Sequence, residues 1–172
     1  MPSPTDSTAL LFPIVGSGTL AYTSTNDLPG AFTLNSLTLN GLPGGGSFTL
    51  GASAGGSLRF GGIAPSVVMQ SSGNAMVATR IDVTAATALS LQPAFGGTVG
   101  FNQPIHSAAG LSISSTGGVV SLQAENRIRG TVSVVDAGLN LARVSALAGA
   151  TLTANGASLS IGSNTFATAP NR

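Results

Sequence analysis

From Phe32 onward, apolar side chains recur at every second position in short runs, the last of which is Leu159-x-Ile161. Alternation with a period of two places both apolar side chains of a run on one face of a β-strand. Glycine- and asparagine-containing segments such as Asn40-Gly41 and Gly117-Gly118 separate the runs, and they suit tight reversals of the chain. Short strands at a spacing of about ten residues predict an all-β fold.

Two interleaved series of apolar positions repeat about every 20 residues. The first series is Phe48, Val67, Leu89, Leu111, Val132 and Leu152, and the second is Leu37, Leu58, Ile81, Val99, Val120, Leu139 and Leu159. A repeat with two strands in each unit is typical of a β-solenoid-like stack, in which successive coils lie about 4.8 Å apart. An antiparallel meander of short hairpins gives the same double period, so a β-sandwich or barrel is the alternative.

The first 30 residues differ from the rest, because four of the nine prolines lie there. We predict an extended N-terminal arm over residues 1–30 and a single all-β domain over residues 31–172. The apolar run of the arm has no helical periodicity, and we expect it to dock on a partner through Leu10, Leu11, Phe12, Ile14 and Val15. The alternative is that this run forms a first β-strand with a loose tail.

The segment from Leu139 to Ala150 is the best candidate for a helix, because it is rich in alanine and leucine. It contains Gly149 and is flanked by threonine and glycine, which disfavour a helix. We therefore predict strand structure here.

Charged residues are only 6% of the 172, and the net charge is +1. Without a basic cluster we expect no nucleic-acid partner, and without cysteine no disulfide and no thiolate metal site. The early apolar run from Ala9 to Val15 is too short for a signal peptide or a membrane span, so no membrane partner is expected. So few charges on a free surface favour association, and we expect copies of the chain to cover one another. The alternative is a monomer whose surface of Ser, Thr, Asn and Gly is hydrated through hydroxyl and amide groups.

The candidate catalytic residues are few. His106 is the only histidine and lies between two predicted strands, so we expect it in a loop without a catalytic role. The carboxylates are scattered along the chain, and we expect no enzymatic activity, no metal and no cofactor. They are Asp6, Asp27, Asp82, Glu125 and Asp136.

Alternation in Arg127-Ile128-Arg129 places the two arginines on one strand face. Two neighbouring guanidinium groups can bind a carboxylate of a neighbouring chain, so Arg127 and Arg129 are candidate partner-binding residues. The alternative is that Glu125 pairs with Arg127 along the same face. Asp82 is expected to point outward, either into solvent or toward an arginine of another subunit.

The short strands rich in Gly, Ser, Thr and Ala, the apolar N-terminal run with Pro13 and the missing signal peptide resemble bacteriophage virion structural proteins. The resemblance is to capsid decoration (cement) proteins and to fibre or spike subunits. It covers residues 32–166 in composition and strand spacing only and matches no specific motif. The segment 110–118 also looks like secreted β-helix adhesins.

The resemblance implies a non-enzymatic component of a phage particle, assembled in the host cytoplasm and located in the virion. We expect a decoration protein that binds the shell surface and stabilises subunit junctions. The alternative is a tail fibre, spike or adhesin-like receptor-binding segment. The resemblance also implies the expected partners, which are copies of the chain itself in a homotrimer and capsid or tail proteins.

Overall fold

In the computed structural model the chain winds into a parallel β-solenoid of about six turns, and each complete turn adds one strand to each of three sheets. The structure describes residues 5–13, 21–40, 46–53, 55–162 and 164–167. The predicted all-β, solenoid-like stack is confirmed, and the sandwich or barrel alternative is excluded because neighbouring strands run parallel.

The strands are numbered in chain order. Sheet A contains β1 (Ala9–Phe12), β4 (Ser36–Leu39), β7 (Ser66–Met69), β10 (Leu89–Gln92), β13 (Leu111–Ser114), β16 (Gly130–Val135) and β18 (Ala150–Asn155). Sheet B contains β2 (Ala21–Asn26), β5 (Ser47–Ala52), β8 (Asn74–Ala78), β11 (Thr98–Phe101), β14 (Val119–Leu122), β17 (Gly138–Leu141), β19 (Ser158–Ile161) and β20 (Asn164–Ala167). Sheet C contains β3 (Ala31–Leu34), β6 (Ser57–Phe60), β9 (Arg80–Val83), β12 (Ile105–Ser107) and β15 (Arg127–Ile128).

The predicted apolar series are in register from β10 onward. Leu89 pairs with Leu111, which pairs with Val132, and that residue pairs with Leu152. In sheet B the same holds for the positions Val99, Val120, Leu139 and Leu159. Six of these eight side chains are buried inside the solenoid, whereas Leu159 is half-buried and Leu152 is 38% exposed.

The early part of both series was wrong. Phe48 belongs to sheet B and pairs with Ala75, while Leu37 belongs to sheet A and pairs with Val67. Leu58 and Ile81 form part of sheet C, which the two-series interpretation omits altogether. Val67 pairs with Leu91 and not with Leu89. The third sheet was missed because its later strands are very short: β12 has three residues and β15 has two.

Two strands lie within the region predicted as an arm. β1 contains Leu10, Leu11 and Phe12 and pairs in parallel with β4, so this part of the apolar run forms a first strand, as the alternative expected. β2 pairs with β5 over its whole length. Ile14 and Val15 lie outside the described residues.

The two ends of the stack differ. At the C-terminal end, β20 pairs antiparallel with β19, and the short 3-10 helix η1 (Val144–Leu147) follows β17 where earlier turns have a sheet C strand. The strand expected over 139–150 is therefore interrupted after Leu141. At the N-terminal end, β1, β2 and β3 are the outermost strands of their sheets, and no described strand pairs with their outer edges.

Candidate functional site

The outward face of sheet C carries a row of polar side chains, one from each turn. The strand register aligns Thr33, Arg59, Asp82, His106 and Arg127 in that order. Adjacent members are about 4.8 Å apart along the row, since this is the spacing of paired strands. The sheet thus gathers charges that are scattered in the sequence.

Asp82 lies at the centre of this row and is held from two sides. Its Oδ2 accepts hydrogen bonds from Arg80 Nη2 at 2.9 Å and Arg80 Nε at 3.1 Å. Its Oδ1 lies 3.2 Å from Nδ1 of His106 in the next turn. The side chain is 21% exposed, so the outward orientation expected from alternation is confirmed. Arg80, which binds it, belongs to the same strand.

His106 lies in β12 and not in a loop, so the sequence-based placement was wrong. Strand β12 begins directly after Pro104 and has only three residues, which is too short to show alternation in the sequence. Its neighbours Ile105 and Ser107 are buried, and His106 points outward between them.

Arg127 and Arg129 are both exposed and flank Ile128, which is buried, as alternation predicts. The expected alternative, a Glu125–Arg127 pair, is not formed. Glu125 Oε1 lies instead 3.5 Å from Arg143 Nη1. Among the residues the structure describes, no carboxylate pairs with Arg59, Arg127 or Arg129.

A shallow cavity of about 290 Å³ opens on this face around β12 and β15. It is lined by Asp82, Val83, His106, Ser107, Ala108, Arg127 and Arg129. Two guanidinium groups, a carboxylate held in place and an imidazole therefore line one cavity. This arrangement can bind an oxyanion together with neighbouring hydroxyl groups.

A second cavity of about 290 Å³ lies at the N-terminal end of the stack and is mainly apolar. Leu10, Phe12, Leu28, Phe32 and Leu50 supply its apolar lining. Leu11, the third described member of the predicted docking run, points away from the core and is 57% exposed.

The cavity borders a group of three aromatic rings. The ring centroids of Phe12 and Tyr22 lie 5.0 and 4.7 Å from that of Phe48. Partial burial raises the pKa of the Tyr22 hydroxyl.

The structure does not bring the two predicted sets of partner-binding residues together. Leu10, Leu11 and Phe12 lie in the first turn, whereas Arg127 and Arg129 lie in and just after β15, the last strand of sheet C. Sequence reasoning missed the row itself. The sequence does contain a signal for the row, which is the regular spacing of its charged residues. The steps from Arg59 to Asp82, His106 and Arg127 are 23, 24 and 21 residues, close to the length of one turn.

No three or more His, Asp or Glu side chains of the described ranges are grouped so that they could hold a metal ion. In the same ranges, no helix has the length and apolar character needed to cross a membrane.

Comparison with known proteins found no matching family model, no matching curated protein and no matching solved structure.

Proposed function

We propose that this protein is a non-enzymatic structural component of a bacteriophage particle, a decoration (cement) protein that binds the shell surface and stabilises subunit junctions. The observation that carries this proposal is the N-terminal end of the solenoid, where no described strand pairs with the outer edges of β1, β2 and β3. β18, β20 and β15 are likewise outermost at the C-terminal end, and the mainly apolar cavity beside Leu10 and Phe12 favours the N-terminal end as the attachment surface.

An open strand edge offers rows of backbone N–H and C=O groups to another chain. Beside these edges, Leu10 and Phe12 line the cavity and Leu11 is exposed. Backbone pairing would fix the orientation of the protein on the shell, and burial of the apolar side chains would favour association. Many copies on one lattice would add avidity.

A homotrimer remains part of the proposal. The outer face of sheet A presents Ser36, Ser66, Ser90, Ser112 and Ser133 in one register row. Such a flat face of small uncharged side chains can pack closely against a neighbouring copy. It fits the low overall charge, which favours association.

A tail fibre, spike or adhesin-like role is the second candidate, and the charged face of sheet C favours it. Free arginines beside a cavity on the side wall of a rigid stack suit contact with a ligand outside the particle. In this role the end of the stack would be joined to the tail and the side wall would meet the receptor.

Immunogold labelling and electron microscopy of purified phage particles test the proposal, with an antibody raised against the purified chain. Decoration predicts labels over the whole shell, in copy numbers that match the capsid lattice. Labels confined to one vertex or to the tail would replace decoration by the fibre or spike role. Particles that contain the protein nowhere would overturn both.

A further inference from the structure

We propose that the cavity on the outer face of sheet C binds a sugar acid, with the sugar carboxylate held by Arg127 and Arg129. This goes beyond the proposed attachment role, because the first turn and β15 are separated by about four strand spacings, or roughly 19 Å. A ligand can therefore occupy this face while the N-terminal end is attached elsewhere.

The carboxylate position follows from the two arginines. Both side chains are exposed, line the same cavity and have no carboxylate partner among the described residues. Guanidinium groups match the planar geometry of a carboxylate and bind it through paired, charge-assisted hydrogen bonds. Glu125, the nearest acidic residue in the sequence, is bound to Arg143.

The opposite side of the cavity suits hydroxyl groups. His106 directs Nδ1 toward Asp82, and its Nε2 forms no hydrogen bond with any residue in the described part of the chain. Because Nδ1 lies 3.2 Å from Asp82 Oδ1, Nε2 lies on the far side of the ring from this carboxylate, where it can form a hydrogen bond with a sugar hydroxyl. Asp82 keeps the ring in place because Arg80 fixes the carboxylate in turn.

Of the two apolar lining residues, Val83 belongs to the core, whereas Ala108 is exposed. The C–H face of a sugar ring can lie against the Ala108 methyl group while its carboxylate and hydroxyls reach the polar side chains. The volume of about 290 Å³ is at the lower limit of small-molecule pockets, which suits one sugar unit.

Two polyanionic ligands fit less well than a sugar acid. Nucleic acid needs many cations along its backbone and, for single strands, aromatic platforms, whereas this cavity has two free arginines and no aromatic residue in its lining. An acidic peptide would use the arginines but would bring further carboxylates close to Asp82. The sugar acid uses both the arginines and the imidazole, through its single carboxylate and its hydroxyls.

The test is titration of the full chain with galacturonic acid and with N-acetylneuraminic acid, followed by NMR or calorimetry. Galactose is the neutral control, and poly-glutamate and single-stranded DNA are the competing polyanions. We expect at least one sugar acid to bind at millimolar concentration and galactose not to bind. Absence of binding by both acids at tens of millimolar, or binding of poly-glutamate or DNA alone, would overturn the proposal.

Matched arginine variants locate the site. Arg127→Gln and Arg129→Gln should each weaken sugar-acid binding about tenfold, because each removes charge-assisted hydrogen bonds. Arg143→Gln removes the same charge from a residue bound to Glu125 outside the cavity, and it should leave the affinity unchanged. Equal weakening by all three variants would show general charge attraction and contradict the proposal. Thermal unfolding confirms that each variant is folded.

Discussion

The side-chain oxygen of Asn126 accepts a hydrogen bond from the backbone N–H of Ile105, one turn away, at 2.8 Å. The amide nitrogen of Asn126 donates to Ala124 O at 3.0 Å and to Ala146 O at 2.9 Å. One buried side chain, 5% exposed, therefore joins β12 to η1, where sheet C ends. Its donors and its acceptor all have partners.

Asn126→Leu should lower the free energy of unfolding by about 2–4 kcal/mol, because it leaves a backbone N–H and a carbonyl oxygen without partners in a buried place. Urea denaturation measures this loss. Asn140→Leu, at an exposed position of β17, is the matched control and should change stability by about 0.5 kcal/mol or less. Similar losses in the two variants would show that Asn126 has no bridging role.

Leu111→Asp should prevent stable folding, because Leu111 is 1% exposed and stacks between Leu89 and Val132. An unpaired carboxylate in an apolar column is expected to cost about 4 kcal/mol or more. Val132→Asp should act in the same way, since Val132 is also fully buried. Circular dichroism and thermal unfolding follow the effect.

Ser114→Asp is the control for these core variants, because Ser114 lies on the same strand as Leu111 but is exposed. It should fold and melt as the native chain does. Native melting of the Leu111→Asp protein would contradict the inward orientation of that column.

Gly118→Ala should destabilise the solenoid by about 2–4 kcal/mol. A Cβ at this position would collide with the carbonyl oxygen of Ala94 and lie 2.7 Å from that of Pro93, and both belong to the backbone of the preceding turn. Gly51→Ala is the matched control, because its Cβ would meet only atoms at 3.9 Å. A Gly118→Ala variant as stable as Gly51→Ala would mean that the turns can move apart at this corner.

Tyr22 should ionise at higher pH in the folded protein than in urea, because burial raises its pKa above the ordinary value of 10.0. The folded state then holds its proton more tightly than the unfolded state, so stability should fall as the pH rises above about 10. Tyr22 is the only tyrosine and the chain has no tryptophan, so absorbance near 295 nm follows this one group. The same midpoint with and without urea would argue against burial of the hydroxyl.

Leu11→Asp should abolish attachment to the particle without unfolding the chain, because Leu11 points outward from the outermost strand of sheet A. Its matched control is Phe95→Asp, at a loop position that is 74% exposed and lies between β10 and β11. Co-sedimentation with particles lacking the protein measures attachment. Full occupancy by the Leu11→Asp protein would exclude the N-terminal end as the anchor.

The alternation of apolar residues was enough to predict strands and, from Leu89 onward, their register, because strands such as β10, β13 and β16 each bury two side chains, one in each of two neighbouring columns. It was not enough for sheet C, where β15 contributes only Ile128 to the core. The row through Arg59, Asp82 and His106 follows from the length of each turn, which the misassigned early positions obscured. Contacts across turns, such as Asn126 with Ile105, depend on corner geometry that no local pattern specifies.

A chain wound in this way can change its length only in certain increments. Leu111 takes the same position in its turn as Leu89 does in the preceding one, 22 residues earlier. Duplication of such a 22-residue segment would add one residue to every buried column and would leave the packing within the flanking turns unchanged. Insertion of a single residue within a strand would instead move the buried side chains that follow it to the solvent face. Small insertions should therefore be tolerated only in the segments between strands.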